Sequence, residues 1–267
     1  SNVTVDAPGG PLASAMSTEG NELIFLNGFN FGPPTPVGAY LQSVSYGPPW
    51  YPGLYDVTSS CTVQSHRVIS CRSMAGVGTD VRWSVRVRGQ RSATNTLASF
   101  AAYARVTIDS VSLNSSSTPG NVLASITGRG FGFCDPAVQQ VVLFGSKIVG
   151  IASITIDGAS FNPATDCPVS PTAGARTLSF LVPEMTAEGV LSVNVQLTAP
   201  SLASPLTALT AFPFRYATPR VVTVYAEPGS ANGDILVTLV GSNFCASEAC
   251  CRTYLDGSPA LNVLSHS

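Results

Sequence analysis

The stretches LNGFNFG at 26–32, ITGRGFG at 126–132 and LVGSNFC at 239–245 share a Gly-x-x-Phe core. Their first glycines, Gly28, Gly128 and Gly241, stand 100 and 113 residues apart. That interval matches a whole β-sandwich and exceeds any short solenoid repeat, so the chain reads as an array of duplicated domains. A glycine closing a strand permits positive φ or close backbone approach. The Phe three residues on, Phe31, Phe131 or Phe244, can then turn back and plug the end of a sandwich. A phosphate-binding glycine loop would need a following helix and a Lys-Ser/Thr pair, and no copy supplies them.

The flanks of the motif repeat too. Upstream lie an alternating apolar run, a turn rich in Gly, Ser or Pro, and a second run entering the motif, as in VTIDSVSLNSSSTPGNVLASITG and VVTVYAEPGSANGDILVTLVG. Downstream comes a short strand closing on glycine: SVSYG at 43–47, VVLFG at 141–145, TYLDG at 253–257. The first two copies continue through a middle strand (RVISC at 67–71, TLSFLVP at 177–183). Long alternating strands follow (VRWSVRVRG at 81–89, GVLSVNVQL at 189–197), then the aromatic endings SFAAYA at 99–104 and AFPFRY at 211–216. Period-two alternation broken by turns about every ten residues predicts antiparallel sandwiches of seven strands each, and no stretch carries a helical period. The expected architecture is all-β, with tandem immunoglobulin-like sandwiches over 1–104 and 105–217 and an incomplete third module over 218–267.

This order of strands around G-x-x-F-G, with a Cys-flanked middle strand, resembles the IPT/TIG domain, the immunoglobulin-like fold of plexins, some receptor ectodomains and certain transcription factors. The resemblance covers essentially the whole chain. It implies a fold and a role in recognition or architecture, and it supplies no catalytic residues.

Composition bounds the setting. Of 267 residues, 45% are hydrophobic and only 10% charged, against about 25% charged in ordinary soluble domains. Hydroxyl side chains, attached glycans or neighbouring subunits must cover this surface, which suits an extracellular coat better than a cytosolic enzyme. A net charge of −2 gives no footprint for nucleic acid and argues against the transcription-factor branch.

Seven cysteines without C-x-x-C pairs, and only two histidines, His66 and His266, favour disulfides over metal binding. Cys61 with Cys71 and Cys134 with Cys167 are the expected pairs. Cys245 pairs with Cys250 or Cys251, leaving one sulfur over. No metal or cofactor is expected. Sequons mark Asn2 and Asn114 for glycans, with a rarer Asn-x-Cys form at Asn243. Proline-rich loops such as YGPPWYP at 46–52 offer exposed, extended backbone that could accept O-linked sugar.

Catalysis finds little support, because His66 lies between paired cysteines, His266 is one residue from the last, and the carboxylates, among them Asp6, Asp109 and Asp157, are sparse. Trp50, Tyr51 and Tyr55 have three readings: a sugar-stacking platform, a subunit contact, or a loop folded on its own core. No apolar run is long enough to span a bilayer.

The third copy has opening strands, motif and TYLDG, but not the middle strand and final pair. Its cover would come from residues absent from the sequence, a segment removed by proteolysis, or a neighbouring subunit. With a neighbour, Ile235, Val237 and Leu239 form the intersubunit contact through a strand edge and an apolar face. The expected function is therefore that of an extracellular, non-enzymatic structural protein, a glycosylated fibril subunit polymerising head-to-tail. The alternative is a receptor or adhesin ectodomain that binds a protein or glycan.

Overall fold

The computed structural model describes residues 2–5, 7–8, 10–34, 40–93, 100–113, 120–156, 158–167, 175–184, 188–229, 235–244, 254–255 and 258–259. The protein is all-β. The first sandwich contains β1 (Asn2–Val5), β2 (Leu23–Asn27), β3 (Leu41–Gly47), β4 (Tyr55–Asp56), β5 (Thr62–Ser65), β6 (Val68–Arg72), β7 (Val81–Val87), β8 (Gln90–Arg91) and β9 (Phe100–Ala101). One sheet runs β1-β2-β6-β5 and the other β4-β3-β7-β8, with β9 also on β7. The second sandwich contains β10 (Thr107–Leu113), β11 (Leu123–Arg129), β12 (Gln139–Phe144), β13 (Lys147–Val149), β14 (Ile151–Ile156), β15 (Ala159–Ser160), β16 (Arg176–Leu181), β17 (Glu188–Thr198) and β18 (Leu206–Arg215). Its sheets run β10-β11-β16-β14-β15 and β13-β12-β17-β18. Each sandwich exceeds the expected seven strands because short hairpin arms such as β8 and β15 pair beside the main ones. Among the described residues a short helical turn, α1 (Pro163–Asp166), precedes Cys167, and a 3-10 turn spans Thr58–Ser60.

Alternation selects the cores. In the first, Ile24, Leu26, Ile69 and Cys71 of one sheet meet Val44, Tyr46, Val81 and Trp83 of the other. Tyr46 stacks on Trp83 with ring centroids 4.2 Å apart, and its hydroxyl shares a 2.8 Å hydrogen bond with that of Tyr103. In the second, Ala124, Ile126, Leu178 and Phe180 face Val142, Phe144, Val193 and Val195.

The last described strands are β19 (Arg220–Ala226), β20 (Val237–Ser242), β21 (Tyr254–Leu255) and β22 (Ser258–Pro259), which form two separate two-stranded ribbons. No helix among the described residues is long and apolar enough to cross a membrane.

Candidate functional site

The Gly-x-x-Phe motif folds alike in all three copies. A Cβ on Gly28, Gly128 or Gly241 would lie 2.6, 2.8 or 2.5 Å from Cζ of Phe31, Phe131 or Phe244, so each ring lies on its glycine. The residue before each Phe, Asn30, Gly130 or Asn243, has φ of 63, 72 or 61°. Asn and Gly tolerate that left-handed bend better than other residues do.

The third ribbon repeats the second module's register. Val111 faces Ile126 and Leu113 faces Ala124 across β10–β11; Val224 faces Leu239 and Ala226 faces Val237 across β19–β20. Both ladders shift register once, between Ile108 and Ser110 and between Val221 and Thr223. In the complete modules the strand entering the motif has a further neighbour: β2 pairs with β6, and β11 with β16. Among the described residues, β20 pairs only with β19.

Burial differs sharply between these equivalent positions. Ala124 and Ile126 are 1% and 0% exposed, with Ile108 and Val111 packed beside them. At the corresponding places Val237, Val221 and Val224 are 39, 49 and 55% exposed, and Leu239 is half-buried. Ile235, before β20, is also exposed. The opposite face is informative as well. Ser112 and Thr127 point outward in the second module, while the equivalent Tyr225 and Val240 are exposed apolar side chains, as is Val222 at the bulge. An isolated two-stranded ribbon is marginal in water, and apolar residues on both faces call for cover on both.

The first two sandwiches meet at a packed joint. Val77, from the loop after β6, is buried within the second core against Gly132. Tyr55 Oη donates to Asp135 Oδ2 at 3.3 Å, and Trp50 Nε1 donates to the Pro200 carbonyl at 3.3 Å. Burial pushes the Tyr55 hydroxyl up to about 12. At the centre Arg176 Nε lies 3.6 Å from Glu19 Oε1, the two side chains 3% and 7% exposed. Burial raises the Glu19 carboxyl above its ordinary 4.5, with Arg176 opposing the shift. The Arg176 guanidinium also sits 5.3 Å from the Phe161 ring centroid.

The structure brings Cys61 to Cys71 across the β5–β6 hairpin and Cys134 to Cys167 beside the joint, both as disulfides. Glu19 Oε2 lies 2.7 Å from Cys134 Sγ. A disulfide sulfur has no proton to give, so this is a close packing contact with the carboxyl rather than a hydrogen bond donated by sulfur. The carboxylate and two sulfurs cluster closely enough for metal ligation, but bonded sulfurs offer no thiolate. Cys245, Cys250, Cys251, Asn114, Asp157 and His266 lie outside the described residues. Asn2 opens β1 opposite Asn27. Asn243 Nδ2 donates to the Thr218 carbonyl at 3.2 Å, so the motif turn already uses that amide. His66 is exposed and contributes only its carbonyl, accepting from Phe31 N.

The aromatic trio divides. Tyr55 is 5% exposed because β4 turns its ring into the first core, whereas Trp50 and Tyr51 stay exposed. A three-ring sugar platform is therefore not assembled. Sequence reading missed the Glu19–Arg176 pair, whose partners belong to different sandwiches. It also left unused a polar groove lined by Ser43, Ser45, Ser84, Arg86, Gly89 and Arg91. The signal for that groove was present in the alternating arginines of VRWSVRVRGQR at 81–91.

No protein-family model and no curated protein matches the chain. Among solved structures it is similar to "Crystal Structure of Rst D1-D2" at 11% identity, over 80% of this chain and 100% of that one, with a TM-score of 0.24. A likeness this slight carries no argument.

Proposed function

We propose that this protein is an extracellular structural protein of tandem IPT/TIG-type modules, the subunit of a glycosylated surface fibril that assembles head-to-tail. The observation that carries the reading is the β19–β20 ribbon, exposed and apolar on both faces. Strands completing a third sandwich would cover Val221, Val224, Val237 and Leu239. They would leave Tyr225 and Val240 bare, where the second module carries Ser112 and Thr127. A second copy of the chain, seated on that outward face and along the edge of β20, covers what sandwich closure alone does not. Two disulfides are compatible with an oxidising, extracellular setting, and the buried joint gives the repeat a stiff spacer. A chain with only 10% charged residues leaves room for solubilising glycans, for which Asn2 and Asn114 are the candidate sites.

The test is assembly of the native glycosylated protein under the electron microscope. Tyr225→Ser/Val240→Thr, which restores the second module's polar outward face, should abolish filaments while leaving the disulfides and thermal unfolding of the first two sandwiches unchanged. Filaments of unaltered length would refute the reading. Intact-mass analysis at the bare 27.6 kDa would end the glycan part.

A further inference from the structure

Four of the chain's 13 cationic side chains, Arg82, Arg86, Arg88 and Arg91, fall within residues 82–91, on the β7–β8 hairpin. Its two-residue turn, Arg88-Gly89, has φ of 46 and 83°, the left-handed pair of a type I′ hairpin. Arginine is uncommon in that conformation. Here its guanidinium lies 4.2 Å from the Tyr40 ring centroid and its amide donates to the Tyr40 carbonyl.

The turn fixes a register in which Arg86 stands directly opposite Arg91. Like charges so placed destabilise a sheet. The neighbouring pairs on this face are Ser43 with Arg86 and Ser45 with Ser84. Short serines between long arginines make a groove of about 450 Å³, within the roughly 300–1,000 Å³ usual for ligand sites.

The groove is polarised for an anion. Arg82 is held by Asp80 at 3.2 Å, outside the lining. Arg91 Nε donates to Ser84 Oγ at 2.8 Å, which orients its guanidinium along the floor. Arg86 is exposed, and among the described residues its guanidinium makes no hydrogen bond or ion pair. No lining residue is a carboxylate. Asp56, opposite Ser45, is turned to Thr58, accepting from its amide at 2.9 Å and its hydroxyl at 2.6 Å, and these bonds lower its pKa.

We propose that this groove binds an anionic polysaccharide, with Arg86 and Arg91 gripping its sulfate or carboxylate groups and Ser43 and Ser45 meeting its hydroxyls, while the buried Ser84 orients Arg91. Guanidinium forks match both anions, and an open hydroxyl floor suits a chain lying across the sheet. The lining holds no aromatic ring on which a nucleic-acid base could stack. It also lacks the apolar anchor pocket on which peptide affinity rests. The inference stands apart from the fibril reading, because the groove is complete within one sandwich.

The test is a titration of the native full chain with dextran sulfate, polygalacturonate, neutral dextran and polyglutamate. Binding of either anionic polysaccharide, but not of neutral dextran or polyglutamate, is expected, and the stronger of the two identifies the anion. Arg86→Gln/Arg91→Gln should weaken binding about tenfold or more. Arg129→Gln, an exposed arginine elsewhere, should change it little, and all variants should unfold thermally like the parent. Equal binding of neutral dextran, undiminished binding by the double variant, or an equal loss in Arg129→Gln would overturn the proposal. Preferential binding of polyglutamate would overturn it in favour of an acidic peptide.

Discussion

Arg176→Met probes the joint between the sandwiches. It keeps most of the side-chain volume and removes the charge that faces Glu19. At 3.6 Å, in an effective dielectric of about 20, two unit charges attract by roughly 4–5 kcal/mol. Desolvating both ions offsets most of that attraction, so the intact pair adds little net stability. Removing one partner leaves the other buried alone and costs about 3–5 kcal/mol. Urea unfolding of the full chain at pH 7 should show that loss for Arg176→Met. Glu19→Gln/Arg176→Met should recover most of it, since neither charge then remains. A loss below about 1 kcal/mol in the single variant, or single-variant losses that simply add in the double, would refute the assignment of a coupled buried pair.

The same pair sets a pH dependence. The folded chain holds the Glu19 proton more tightly than the unfolded chain, so its contribution is fully present below 4.5 and is lost as the pH rises through the raised folded value. Wild type should therefore lose stability relative to Glu19→Gln as the pH rises above the ordinary 4.5, and unfolding at several pH values that shows a relative gain contradicts this. Cys134→Ala/Cys167→Ala, closing a separation of 33 residues, should cost about 3–4 kcal/mol in urea unfolding; Cys61→Ala/Cys71→Ala, with a separation of 10, should cost about 2–3. Gly128→Ala drives a Cβ into the Thr107 carbonyl and the Phe131 ring and should cost about 1–3 kcal/mol, whereas Gly150→Ala, with open space around it, should be near neutral by the same assay.

Local patterns carried much of the fold into the sequence. Alternation with period two names which side chains enter a sandwich, because successive strand residues point to opposite faces. The Gly-x-x-Phe spacing is legible because the turn and its ring plug form within four residues. Cys61 and Cys71 stand only ten residues apart, and their bond closes a single hairpin, with Cys61 before β5 and Cys71 inside β6, where the sequence suggested one strand flanked by both. Ile235, Val237 and Leu239 stand out as apolar positions, and Val237 and Leu239 repeat the register of Ala124 and Ile126.

Tertiary structure decided what depends on docking surfaces distant in the chain. Tyr55 reads as a loop aromatic until β4 adds to β3 and turns it inward. Glu19 and Arg176 carry no mutual signal, because their burial arises only when one sandwich seats on the next. Arg86 and Arg91 become an anion-facing pair only once the Arg88-Gly89 turn fixes their register. The sequence alone determined the strands, their inward faces and the repeat. The partners of charged and aromatic side chains were left to the tertiary structure, since desolvation and charge pairing are set by neighbours in space and have no period along the chain.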